Sequence, residues 1–88
     1  MYIQFYKISW NALKNKRLKK VRGVSFQEII KAKLLGIIKS PHRAHQDILV
    51  YEYRNYVWAV PCVFEQQEVF LKTIYPSRKL MKFFKGDY

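Results

Sequence analysis

DILVYEYRNYVWAVPCVFEQQEVFLKTIY, residues 47–75, decides the fold. Three runs within it are rich in Val, Ile, Tyr, Phe and Trp, the residues that suit a pleated, half-buried surface. Arg54-Asn55 separates the first run from the second as a tight turn, and Glu-Gln-Gln-Glu at 65–68 turns the chain again. Links this short make neighbouring strands antiparallel. DILVYEY, YVWAVPCVF and VFLKTIY therefore read as a three-stranded meander. Pro61 falls inside the middle run, and proline has no N–H to give to the ladder. A bulge or an unpaired segment is expected beside it.

Upstream, WNALKNKRLKKVRG reads as a helix that Asn11 caps and Gly23 stops. Its apolar stripe (Trp10, Leu13, Leu18, Val21) is narrow, with Lys14 and Arg17 in the same sector. Such a helix lays its cations over the body of the protein or offers them to a ligand. Ser25 and Glu28 have the spacing of a capping box. Phe26, Ile29, Ile30 and Leu34 then predict a second helix, with Gly36 as its end. IIKSP is a short extended piece closed by Pro41, and HRAHQ is a loop. The opening YIQFYKISW is β-rich; it or IIK can widen the meander. Downstream, Ser77 caps a final helix, RKLMKFF. Leu80, Met81 and Phe84 lie on one side of it, with Arg78, Lys79, Lys82 and Lys85 largely on the other. The sum is an α+β fold, with N-terminal helices packed on one face of an antiparallel sheet of three to four or more strands and a short C-terminal helix. No repeat, low-complexity tract or Gly/Ser linker interrupts residues 1–88, which are expected to form a single domain.

The net charge is +11, from 17 Lys and Arg against 6 Asp and Glu. Residues 1–45 hold eleven of those cations and one acid, Glu28; residues 46–88 hold six cations and five acids. KNKRLKKVR, from Lys14 to Arg22, is the densest run. Half the chain is hydrophobic, which argues against intrinsic disorder. A folded body with so concentrated a positive charge suits a polyanionic partner, either nucleic acid or an acidic protein. Cys62 is the single cysteine and sits in an apolar run, as a small core residue in a reducing compartment would. The first ten residues have no charged segment ahead of an apolar one, so no secretory leader is expected, and no stretch approaches a membrane span. The expected location is the cytoplasm. His42, His45 and Asp47 share one loop without a second ligand cluster, and no glycine-rich phosphate loop occurs. Neither metal nor cofactor is expected.

Along VFLKTIY, alternation puts Lys72 on a face with Phe70 and Ile74, while Glu52 and Arg54 share a face of the first strand. If those faces coincide, Glu52, Arg54 and Lys72 converge with Arg78 at the rim. A lysine that keeps an edge strand from aggregating explains Lys72 equally well. Cations of this kind suit RNA cleavage, because RNA carries its own nucleophile, the 2′-hydroxyl. The protein need only align that oxygen, stabilise charge on the phosphorane and protonate the leaving 5′-oxygen. Tyr53, Tyr56 or Tyr75 can stack on an unpaired base.

Trp10, Lys14, Asn15, Gly23, Val24, Ser25, Phe26 and Glu28, followed by Lys72, Ile74, Ser77, Arg78 and Lys79, carry a resemblance in order and spacing. In them the chain resembles the BrnT-type toxins of bacterial type II toxin–antitoxin modules, from Trp10 to Lys82. The resemblance implies a RelE/ParE-like fold and a metal-independent endoribonuclease that suppresses translation. It further implies neutralisation by a cognate ribbon-helix-helix antitoxin. An antitoxin that covers so basic a half is expected to be acidic at its contact segment; two toxins joined through an antitoxin dimer would form a heterotetramer that meets DNA only through the antitoxin. By carry-over, Lys72 and Arg78 are the phosphate-stabilising residues, and Arg22 takes the place of the family's histidine before glycine. Asn11-Ala12 stands where the family has Asp-Pro, and His45-Gln46 replaces an acidic–basic pair. That leaves His45 or Glu52 as general base. Lys14, Lys19, Lys20, Arg54, Lys79 and Lys82 are the expected RNA contacts. The rival readings are a non-catalytic nucleic-acid-binding module and a ParE-like inhibitor of a protein target.

Overall fold

In the computed structural model, residues 6–86 are described. The elements in chain order are β1 (Lys7–Trp10), α1 (Ala12–Arg22), α2 (Phe26–Ile29), β2 (Lys33–Lys39), β3 (Asp47–Tyr53), β4 (Tyr56–Glu65), β5 (Glu68–Leu71), β6 (Tyr75–Pro76) and α3 (Arg78–Lys85). The meander is present as β3–β4–β5, and both candidate additions widen it. The strand order is β1-β5-β4-β3-β2, with β6 also on β4. β1 lies parallel to β5, so the sheet is not wholly antiparallel. Residues 2–5 of the expected opening strand lie outside the described residues.

The β3–β4 turn places both Arg54 and Asn55 at positive φ, 52° and 59°, the backbone of a two-residue hairpin whose twist matches its strands. Asparagine adopts that conformation readily and arginine does not. Arg54 is held there by its guanidinium, which donates to the Gly23 carbonyl at 3.2 Å and lies 4.9 Å from the centre of the Tyr53 ring.

Pro61 leaves the β3–β4 register unbroken. Its irregularity falls on the other side. Lys72 N–H donates to the Pro61 carbonyl, and Pro61 has no N–H to return. Cys62 pairs with Leu71, but Ala59 pairs with Tyr75, so the chain opposite gains one residue at Thr73–Ile74. This is a β-bulge. It reverses the facing of everything after it. Ile74 turns into the core instead of sharing a face with Phe70 and Lys72, correcting the alternation read from sequence.

Residues 48–51 of β3 are all buried, which requires cover on both faces of the sheet. On one face, Leu18, Val24, Phe26 and Ile29 of the α1–α2 layer pack against Leu49, Tyr51, Val60, Cys62, Val69, Leu71 and Ile74. On the other, Met81, Leu80 and Phe84 of α3 pack on Ile48, Val50, Val57 and Ala59. The helices thus lie on both faces, not one. The second helix also stops early: the chain is already strand at Lys33, where pairing with β3 outweighs the helical spacing of Ile30 and Leu34. Gly36 ends no helix. It sits at a register shift in β2, where an added Cβ would come within 3.3 Å of the Phe84 ring.

α1 follows the sequence closely. Asn11 accepts from Lys14 N–H at its start, and Gly23 closes it at φ 76°. Leu18 is its one buried residue, so polar contacts attach it. Asn15 accepts the Phe26 N–H at 2.7 Å and donates to Gln27. Lys19 reaches both oxygens of Glu28, at 2.8 and 2.9 Å, while Glu28 and Ser25 complete the capping box. Trp10 stacks on Phe26 with ring centroids 5.5 Å apart. Trp10, Asn15, Ser25, Phe26 and Glu28, all from the first block of the resemblance, therefore belong to the clasp between α1 and α2.

These contacts, chiefly with Lys19 and then the Ser25 backbone, lower the Glu28 pKa from 4.5 to about 2. A carboxylate lowered in the folded state adds stability above its unfolded pKa and loses it as pH falls through the folded one. The melting temperature is expected to drop between pH 4.5 and 2, and the Glu28→Gln variant to show a shallower drop across that window. Equal slopes would mean that Glu28 is not the group titrating.

Two buried groups are inert. Burial, with the Asp47 charge second, pushes the Cys62 thiol up to about 12, so it behaves as a hydrophobe. Burial likewise raises Tyr51 to about 12, and its hydroxyl finds no hydrogen-bond partner. A buried polar group without a partner destabilises. Tyr51→Phe is expected to leave stability unchanged or raise it by about 1 kcal/mol in denaturant unfolding. A loss of that size would reveal a bond to the hydroxyl.

Candidate functional site

The sequence-derived site residues fall on two sides of the sheet. Lys14, Lys19, Lys20 and Arg22 belong to α1, and Arg54 bonds to Gly23 on that same side. Glu52 turns the other way and pairs with Lys85 of α3 at 2.5 Å, which lowers its pKa. Glu52, Arg54 and Lys72 therefore do not converge, because the turn at 54–55 sends Arg54 out of the strand's alternation. Arg22 donates to the Ile74 carbonyl, the oxygen that the bulge removes from the ladder. That contact is a structural duty for Arg22, and Lys19 is engaged with Glu28.

Lys72, Arg78, Lys79 and Lys82 lie on the α3 side or along α3 itself. There the sheet, the β2–β3 loop and the start of α3 enclose a cleft of about 400 Å3. Its polar lining is Ser40, His42, Arg43, Gln46, Tyr75, Ser77 and Lys79; Ile38, Ile48, Pro61 and Leu80 form its apolar floor. Among the described residues, no carboxylate lines it. Lys72 is opposite Pro61 in the ladder and faces the same side, next to a residue of the cleft floor but not itself among the lining residues. Arg78 is turned into a neighbouring groove with Tyr56, Met81 and Lys82. His45 lies in a separate depression beside Lys39, Asp47 and Glu65. Of the three tyrosines named for stacking, Tyr75 lines the cleft, Tyr53 carries the Arg54 guanidinium, and Tyr56 packs on the α3 core.

The walls of the cleft are held by the backbone. Ser40 N–H donates to the Gln46 carbonyl and Gln46 N–H to the Arg43 carbonyl, closing the loop that presents His42 and Arg43. Across from it, Ser77 N–H donates to the Val57 carbonyl and its hydroxyl accepts the Leu80 N–H, fixing the start of α3. The first turn of α3 contains no acid and opens with Arg78 and Lys79. The positive end of a helix dipole disfavours cations by about 0.3–1 kcal/mol each. Helix stability therefore does not explain these two residues. An anion at that end would be attracted by the side chains and the dipole together.

Chemically, the cleft offers two cations from separate elements, an imidazole, a phenol, and an apolar floor. That set suits a phosphodiester. Sequence reasoning did not place His42 and Arg43 in the site; Lys79 follows them far along the chain, and only the β2–β3 pairing brings their loop alongside. Among the described residues, no three of His, Cys, Asp and Glu gather as metal ligands, and no helix is long and apolar enough to cross a membrane.

No family model and no curated protein matches the chain. Among solved structures, it is similar to the crystal structure of the Brucella abortus ribonuclease toxin BrnT, with a TM-score of 0.55 and 18% identity, covering 82% of this chain and 96% of that one. The fold is BrnT-like.

Proposed function

We propose that this chain is the toxin of a type II toxin–antitoxin pair and an endoribonuclease that works without a metal ion. The observation that carries the reading is the cleft between the 40–46 loop and the start of α3, lined by Arg43 and Lys79 and, among the described residues, by no carboxylate. The BrnT-like fold supports it, since the solved protein that shares this fold is a ribonuclease toxin. In this reading Arg43 and Lys79 hold the phosphate oxygens, and Lys72 approaches from the sheet. All three stabilise the charge that develops at phosphorus. His42 is placed to exchange the proton of the 2′-hydroxyl or the leaving 5′-oxygen, a task for which Glu52 is unsuited because it is paired with Lys85. Arg78 and Lys82 extend the positive rim, and the cations of α1 add long-range attraction for a polyanion.

The reading extends to a cytoplasmic setting and to a cognate antitoxin with an acidic contact segment. A ribbon-helix-helix antitoxin dimer joining two toxins would make a heterotetramer and supply its only contact with DNA.

The purified protein, incubated with long RNA in EDTA, is expected to cut it into discrete fragments. Binding with a steep salt dependence but no scission would reduce the protein to a nucleic-acid-binding module. Neither binding nor scission would point instead to a protein target.

A further inference from the structure

Phe70 is 41% exposed although both of its neighbours in β5, Val69 and Leu71, are buried. Alternation turns its ring to the α3 side of the sheet, and the α3 core does not include it. It pairs with Val63 on β4 and Ser9 on β1, both smaller, and part of the residue is open to solvent. Lys72 lies two residues on, facing the same way, about 7 Å along the strand. Beyond Lys72, the facing Pro61 is already floor of the cleft. Phe70, Lys72 and the cleft thus form one continuous track.

We propose that Phe70 is a stacking platform for one base of a single-stranded RNA whose adjoining phosphate lies at Lys72 and the cleft. The assignment rests on the RNA reading above and adds the place where a base is held. An aromatic face accepts any base, so the subsite contributes affinity and register more than sequence preference. The other exposed large hydrophobics do not meet this description. Leu13 and Val21 are aliphatic residues of α1, and Phe83, in an α3 groove that shares Ile38, Lys79 and Leu80 with the cleft, already meets the Phe84 ring edge to face and is not on the strand that carries Lys72.

The test is binding of an eight-nucleotide 2′-O-methyl oligouridine, which lacks the 2′ nucleophile and stays intact, measured over a range of salt. Phe70→Leu is expected to weaken binding about 5- to 50-fold, with an unchanged slope against salt, since no cation is removed. Lys72→Ala is expected to reduce the slope by about 0.7, and Leu13→Ala to change neither. Phe70→Trp should bind at least as well as the wild type and should quench a 2-aminopurine placed in the oligonucleotide; this variant also decides the matter if Phe70→Leu does not fold. Wild-type binding by Phe70→Leu, with Lys72→Ala weakened, would overturn the stacking platform and leave the RNA reading standing. Weak binding by Phe70→Trp would likewise overturn it, assigning Phe70 a packing role. If the wild-type protein does not bind the oligonucleotide, both readings fall.

Discussion

Phe26→Ala is expected to lower stability by about 3–5 kcal/mol, the cost of emptying a fully buried aromatic site. Phe26 is completely buried, stacks on Trp10, and is the residue whose N–H Asn15 accepts. It therefore joins β1, α1 and α2 at one point. For a domain of this size, each kcal/mol lowers the melting temperature by about 4–8 °C. The variant is thus expected to melt about 12–40 °C lower. Because marginal stability leaves only about 5–15 kcal/mol to lose, it is expected to be largely unfolded under mild denaturant. Phe26→Leu keeps most of the volume and should lose about 1 kcal/mol. Urea unfolding of the two variants checks both numbers; a small effect of the alanine would mean that the clasp does not hold α1.

Lys79→Glu separates function from stability, because the two are expected to move in opposite directions. In the first turn of α3 a carboxylate suits the helix dipole where the ammonium opposes it, so stability should rise by about 0.3–1 kcal/mol. In the cleft the same change removes the phosphate contact proposed for Lys79 and puts a negative charge opposite Arg43. Loss of one group that stabilises a developing oxyanion lowers catalysis about 100- to 1,000-fold, and the introduced repulsion deepens the loss. Thermal melting and initial rates of RNA cleavage measure the two effects on one preparation. Full cleavage by Lys79→Glu would remove the cleft from the chemistry, whatever happened to the melting temperature. A parallel fall in stability would show that Lys79 serves the fold instead.

The meander and the caps were legible because each depends on neighbours in the chain. Asn11, Gly23, Ser25 with Glu28, and Ser77 act within one helical turn, and Arg54-Asn55 is a turn by its own length. The cover on both sheet faces was also legible in principle: ILVY at 48–51 is apolar without alternation, the mark of a strand buried on both sides. The end of the second helix was not, because Lys33 and Leu34 become strand through partners on β3.

Of the site, the sequence by itself determined the chemistry: an excess of cations, a histidine-bearing loop, and a lysine and two further cations around the last strand and helix. Those are properties of composition and local order, which folding does not alter. Which of the cations meet was decided only by tertiary structure. One extra residue at Thr73–Ile74 sends Ile74 to the α1 side, where Arg22 is held against its carbonyl, and leaves Lys72 facing α3. Pairing of β2 with β3 then carries Arg43 to Lys79. A strand's side chains alternate, so a single inserted residue exchanges its two faces, and neither the insertion nor its partner is marked in the letters themselves.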